Sequence, residues 1–186
     1  MKTLKIFIVI LTFSLTQTIF CQEVSYSSLN NTFGIKLSNI SGYGLYYNRK
    51  ITEDFKLQFM GLVYYLYSLD QGEEHKNLNY EFGLEIQRNI ATGENGRVYF
   101  LAGAYYFFDD DSREGNGNLN KKINNSINCG VGIAGEYYYK RFILSLELGY
   151  KFYEDRLEIT ENSKTPYPEI KRVMKIGAGI GIGFMF

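Results

Sequence analysis

Phe142-Ile143-Leu144-Ser145-Leu146-Glu147-Leu148-Gly149-Tyr150-Lys151-Phe152 decides the fold class. Its even positions are Phe, Leu, Leu, Leu, Tyr and Phe. Its odd positions carry Ser145, Glu147, Gly149 and Lys151, with Ile143 the exception. Alternation at period two is a strand with one apolar and one polar face. Wound as a helix, the same residues would mix Phe142, Ser145, Gly149 and Phe152 on one stripe.

The pattern recurs on both sides of this stretch. Leu78, Tyr80, Phe82, Leu84 and Ile86 alternate with Asn79, Glu81, Gly83, Glu85 and Gln87. Ile127, Cys129, Val131 and Ile133 alternate with Asn128, Gly130, Gly132 and Ala134. Ile176, Ala178, Ile180, Ile182, Phe184 and Phe186 alternate with Gly177, Gly179, Gly181 and Gly183. Shorter runs begin at Phe33, Tyr43 and Phe55. Arg97 to Phe108 is apolar on both faces, so its strand has no assigned facing. The sequence thus predicts eight strands, near 32–39, 42–51, 54–67, 78–90, 96–108, 126–139, 141–154 and 170–186. Short turns alternate with longer polar connections around 70–77, 109–125 and 155–169. Asn39-Ile40-Ser41-Gly42 is short where that scheme expects a long loop.

Composition agrees with strands. The 186 residues include 17 Tyr, 14 Phe and 19 Gly against 2 Pro and no Trp, and aromatic residues favour strands. Twenty basic and twenty acidic side chains cancel, so the basic excess of a nucleic-acid-binding domain is missing. The first 21 residues read as a secretory signal peptide: Lys2 and Lys5 precede the apolar run Ile6 to Leu11, and Cys21 is a small residue before the expected cut. A lipidated Cys21 is the rival reading, disfavoured by the bulky Phe20. The expected mature domain is 22–186.

No second apolar run approaches the roughly 20 residues of a membrane helix. A mature chain in a bilayer would therefore have to cross as a closed barrel, the other structure that pairs every backbone group. The polar face decides between that barrel and a soluble, lipocalin-like one. Four alternating glycines on the last strand would cover a surface poorly, whereas they suit a crowded lumen. The inward set then includes Lys36, Lys56, Glu81, Glu85, Glu136, Glu147, Lys151 and Lys175. Charges in so narrow an interior must pair or stay hydrated, so a salt-bridged plug is expected. An ion or solute path is the alternative. Aromatic residues cluster at strand ends: Tyr64, Tyr65, Tyr67, Tyr105 to Phe108, Tyr150, Phe152 and Tyr153 on the long-loop side, and Tyr46, Tyr47, Tyr137 to Tyr139, Phe184 and Phe186 on the other. Two such bands match membrane interfaces.

The ending Ile182-Gly183-Phe184-Met185-Phe186 resembles the C-terminal insertion signal of bacterial outer-membrane proteins. With it the mature chain resembles the family of small eight-stranded outer-membrane β-barrel proteins of Gram-negative bacteria, although Ala178 is smaller than the family pattern prefers. The resemblance implies an all-β, antiparallel up-and-down transmembrane barrel set in outer-membrane lipid. It also implies insertion by the barrel-assembly machinery, long loops outside and short turns in the periplasm. It implies no shared activity. A structural or surface-interaction role is the leading expectation, with any extracellular ligand unidentified.

Other motifs carry less. Gly130-Val131-Gly132-Ile133-Ala134-Gly135 fits a dinucleotide fingerprint, but a strand rather than a helix follows it. Asn30, Asn39 and Asn124 begin glycosylation sequons that are incidental in this setting. His75, the single histidine, follows Glu73 and Glu74; with Asp109 to Asp111 and Ser112 it marks the one place for a loop-sited enzyme or a metal. A solvated acidic loop explains those residues as well, and no catalytic, cofactor or metal residue is assigned. Cys129 falls on the apolar face, where it serves as a small apolar side chain.

Overall fold

The computed structural model describes residues 5–7, 29–70, 73–115, 118–161 and 168–186. Beyond the short strand β1 (Lys5–Phe7), the strands are β2 (Asn31–Ser38), β3 (Gly42–Lys50), β4 (Phe55–Asp70) and β5 (Glu73–Gly93). They continue with β6 (Gly96–Gly115), β7 (Asn118–Tyr139), β8 (Phe142–Glu161) and β9 (Glu169–Met185). Each of β2 to β9 pairs antiparallel with its chain neighbour, and β2 also pairs with β9. The sheet therefore closes as an eight-stranded up-and-down barrel. The seam is set by Ile35 opposite Ile182 and finished by two backbone bonds between Asn31 and Phe186.

Burial alternates along the lower part of every wall strand, and its sense is inverted relative to a soluble barrel. On β8, Phe142, Leu144, Leu146, Leu148, Tyr150 and Phe152 point outward, Leu148 with 67% of its surface exposed. Ser145 and Glu147 are buried inside. Phe33, Ile35 and Leu37 on β2, and Ile180 and Ile182 on β9, are likewise outside. A continuous band of aliphatic and aromatic side chains around a polar interior is the arrangement of a transmembrane barrel. Hydrocarbon solvates such a band; water does not.

The structure settles β6. Arg97, Tyr99, Leu101 and Tyr105 point inward and are buried, while Val98, Phe100 and Tyr106 point outward. It also corrects the aromatic band on the short-turn side: Tyr46 and Tyr138 are buried inside rather than facing lipid. Ile143, the exception to the alternation, is inward too. It packs with Tyr138 and Met185, with Leu29 against them, as an apolar floor at the short-turn end.

The expected long loops at 70–77, 109–125 and 155–169 are a second correction. Most of their residues continue the ladders, with Asp70 opposite Glu73, Gly115 opposite Asn118 and β8 reaching Glu161. Polar composition signalled exposure to water there, but strands rising clear of a bilayer are wetted on both faces and lose the alternation. β7 has 22 residues, about twice the 9–11 that a crossing needs. β2 and β3, with 8 and 9 residues, are only long enough to cross. Their ladders end at Ser38 opposite Gly179 and Leu45 opposite Gly61. Beyond these points the wall formed by the described residues has a notch two strands wide, bordered by the upper parts of β4 and β9. β1 lies along the β4 border at Tyr65–Tyr67. Apart from β1, the expected signal peptide, Cys21 included, lies outside the described residues.

Candidate functional site: the lumen

Three stacked layers fill the barrel above the apolar floor. The lowest is built on Arg97. Its guanidinium donates from Nε to Glu136 Oε2 at 2.6 Å and from Nη2 to Glu136 Oε1 at 2.8 Å, a two-pronged pair. Nη1 donates to Asn89 Oδ1 at 2.6 Å. The plane lies 4.0 Å over the Tyr99 ring. Lys56 Nζ adds a second cation 3.5 Å from Glu136 Oε2, and the Tyr138 hydroxyl donates to the same oxygen at 3.1 Å.

The middle layer is built on Lys36, which is 1% exposed. Its ammonium pairs with Glu147 and lies 3.4 Å from Glu85 Oε1. Gln87 joins the layers: its Nε2 donates to Glu85 at 2.6 Å, and its Oε1 accepts from Arg97 and, at 3.0 Å, from Asn48. These two layers hold three cations, Lys36, Lys56 and Arg97, and three carboxylates, Glu85, Glu136 and Glu147. Each ion has a partner of opposite sign, which buried charge requires.

The upper layer is the β2–β3 turn. The chain at Asn39–Ser41 bends into the lumen instead of rising from it, and Ile40 is fully buried. Ser38 Oγ accepts from the Ile40 and Ser41 amides at 3.1 and 3.2 Å and donates to Glu147 Oε2 at 2.7 Å. Ser41 Oγ donates to the same carboxylate at 3.2 Å. Asn39 Oδ1 accepts from the Ala178 amide at 2.8 Å, tying the turn to β9. The exit passes through Gly42 at φ 108° and Gly44 at φ 125°, a backbone region that side chains disfavour. Ile40 packs with Tyr99, Leu101 and Ala134. A turn short enough to break the loop scheme is therefore a stopper, held by the carboxylates beneath it.

Glycines make room for it. A Cβ on Gly130 would lie 2.6 Å from Ile40 Cγ2, and one on Gly177 2.5 Å from Ile40 Cγ1. Lower on β9, a Cβ on Gly179 would lie 2.6 Å from the Ser38 side chain, and one on Gly181 2.6 Å from Ser145 Oγ. The glycine face of the last strand is thus the wall against which the turn and the ion network press.

The eight expected lumen residues separate accordingly. Lys36, Lys56, Glu85, Glu136 and Glu147 meet in the network. Glu81 lies above it, accepting the Tyr43 amide at 2.8 Å. Lys151 stands over the rings of Tyr105 and Tyr153 at 5.2 and 4.7 Å. Lys175 is exposed, 5.4 Å from the Tyr153 centroid. Sequence reading missed Arg97. A lone charge inside the two-sided apolar run 97–108 was the available signal, since it fixes which face of β6 looks inward. At the barrel end, Ile182 and Phe184 face outward, and the Phe184 ring meets that of Phe142 edge-on with centroids 5.6 Å apart.

Across the far ends of β5 and β6, above the apolar belt, His75 Nε2 lies 2.9 Å from Asp111 Oδ1. Asp109 accepts from Asn77 at 2.9 Å. The Ser112 hydroxyl donates to the Lys76 carbonyl at 3.5 Å. Among the described residues no group of three or more His, Cys, Asp and Glu side chains is arranged to hold a metal. On the outer face of β8, hydrogen bonds from Arg172 and Arg156 hold the Glu154 carboxyl below the usual range.

No protein-family model matches the chain, and no curated protein matches it. Similar solved structures include the N-terminal β-barrel domain of Pseudomonas aeruginosa OprF, at 18% identity over 86% of this chain and 98% of that one, with a TM-score of 0.42. A major outer membrane protein from Thermus thermophilus is 12% identical over 86% of this chain and 100% of that one, with a TM-score of 0.47. Ail, the attachment invasion locus protein of Yersinia pestis, is 14% identical over 84% and 97%, with a TM-score of 0.43.

Proposed function

We propose that the chain is an outer-membrane barrel with a closed, charge-balanced lumen, and that its role is structural or surface-interactive. The inverted burial carries this reading: lipid-type side chains such as Leu148 stand outside, and six ionised groups are enclosed. A soluble barrel with that band in water would expose far more contiguous apolar surface than soluble proteins tolerate. Export through the leader at 1–21 and assembly from the C-terminal signal Ile182, Phe184 and Phe186 complete the route. The barrel-assembly machinery is the partner this route requires. The three tall strand pairs β4–β5, β6–β7 and β8–β9 are the surfaces left to meet other molecules.

The layers of the lumen argue for closure rather than conduction. A permeating ion would have to break the Lys36 and Arg97 clusters and displace the Ile40 turn. Eight strands enclose only about the volume that their own side chains fill.

Fractionation with heat-modifiable gel migration tests the placement. Folded protein should sediment with outer membranes and run faster unboiled than boiled. Detergent-free solubility would overturn it. Stable single-channel steps in a planar bilayer would overturn the closed lumen.

A further inference from the structure

Lys151 and Lys175 oppose each other in register on β8 and β9 and face the same side of the sheet. Like charges placed directly opposite repel, so this pairing needs an explanation. Both ammonium groups lean on Tyr153, and Lys151 also on Tyr105. Glu81 and Asp155 face the same space, yet neither lysine has a carboxylate within ion-pair distance among the described residues. Below them every lumen cation is matched. Above the stopper, Glu81 and Asp155 stand near the two lysines without forming an ion pair with either.

The position is as informative as the charge. Lys175 lies on the part of β9 that, among the described residues, has no partner on the notch side, since the β2 ladder stops at Gly179. Two residues below it, Gly177 holds the Ile40 stopper, which forms the floor. Across the notch stand Leu62 and Val63 of β4, both exposed, and Met174 and Ile176 crown β9, Ile176 with 76% of its surface exposed. The lowest residues of the notch are level with Leu148 and Tyr150 of the apolar belt, because Ala178 opposes Leu148 and Ile176 opposes Tyr150. The upper lumen thus opens sideways toward the lipid as well as upward.

We propose that this vestibule binds an anionic amphiphile with a single acyl chain, taken from the outer leaflet. The carboxylate sits between Lys151 and Lys175, against the Tyr105 and Tyr153 rings. The chain leaves through the notch between Leu62–Val63 and Met174–Ile176. The floor of the site is closed, so the amphiphile is held and not passed through. The source of the ligand rests on the outer-membrane placement, which fractionation tests separately.

The test uses the mature protein in a non-ionic detergent, titrated with the fluorescent fatty acid cis-parinarate. Saturable binding is expected. Lys151→Gln with Lys175→Gln should weaken it about tenfold, the scale of losing charge-assisted hydrogen bonds. Lys175→Gln alone, at an exposed side chain with little bearing on folding, should weaken it by about threefold. The methyl ester of parinarate should bind weakly and equally to every variant, and millimolar inorganic phosphate should leave the acid bound. Equal affinity in parent and double variant overturns the site. Displacement by phosphate overturns the amphiphile in favour of a small soluble anion. An ester that binds as well as the acid shows the lysines to be bystanders and also overturns it. Heat-modifiable migration of each variant separates lost binding from lost folding.

Discussion

The side chain of Ile40, in the turn that enters the lumen, occupies the space a Cβ on Gly130 would need, 2.6 Å from its Cγ2. The wall and the stopper are fitted to each other at this point. Gly130→Val should therefore force the turn outward or strain β7, at a cost of about 1–3 kcal/mol, the range of overpacked interiors. The check is the urea midpoint of the gel-mobility transition, which should fall. Gly135, whose neighbourhood is open, provides the control, and Gly135→Ala should leave the midpoint nearly unchanged.

The ion network makes a sharper prediction. Lys36→Met leaves Glu85 and Glu147 facing each other inside the barrel without their cation. Breaking a buried pair from one side costs about 3–5 kcal/mol. The triple variant with Glu85→Gln and Glu147→Gln removes the orphaned charges and should recover most of that loss. Equilibrium unfolding of the three proteins decides it, and equal stability of single and triple variants contradicts the pairing.

Leu148 tests the orientation directly. In a bilayer, Leu148→Arg places a cation in the middle of the apolar belt and should cost about 2–4 kcal/mol. In a soluble barrel a side chain 67% exposed would accept arginine with almost no effect. Folding yield into vesicles, set beside that of Ser145→Ala on the opposite face, distinguishes the two cases.

The layers also predict how the lumen fails. Exchanging Asn39–Ser41 for a hydrophilic loop that stays outside removes the stopper but leaves the Arg97 and Lys36 clusters below it. Conductance should remain absent. Only the combination with Arg97→Ala and Glu136→Ala should give steady current steps. A stopper variant that conducts by itself would show that the ionic layers do not seal.

The architecture was legible because hydrocarbon and a crowded lumen demand opposite side chains at every second position. Phe142–Phe152 records that demand almost without error. Ile143 departs from it because the lumen needs an apolar floor as well as ions. The facing of β6 was hidden because Tyr99, Leu101 and Tyr105 serve inside as ring and packing surfaces, so both faces read as apolar. The tall hairpins carry loop-like sequence because wetting on both sides erases alternation while the backbone ladder persists. The inward turn had one trace, its shortness, and nothing in Asn39-Ile40-Ser41 fixes its direction. That direction comes from the glycines of β7 and β9 and from Glu147, more than a hundred residues away.

The six ionised groups of the lumen also bear on how this protein can change. A substitution at Glu136 strands two cations at once, and one at Lys36 strands two carboxylates. Accepted replacements should therefore arrive as compensating sets, so a randomised library selected for assembly would show these positions drifting together while the lipid-facing ones wander independently.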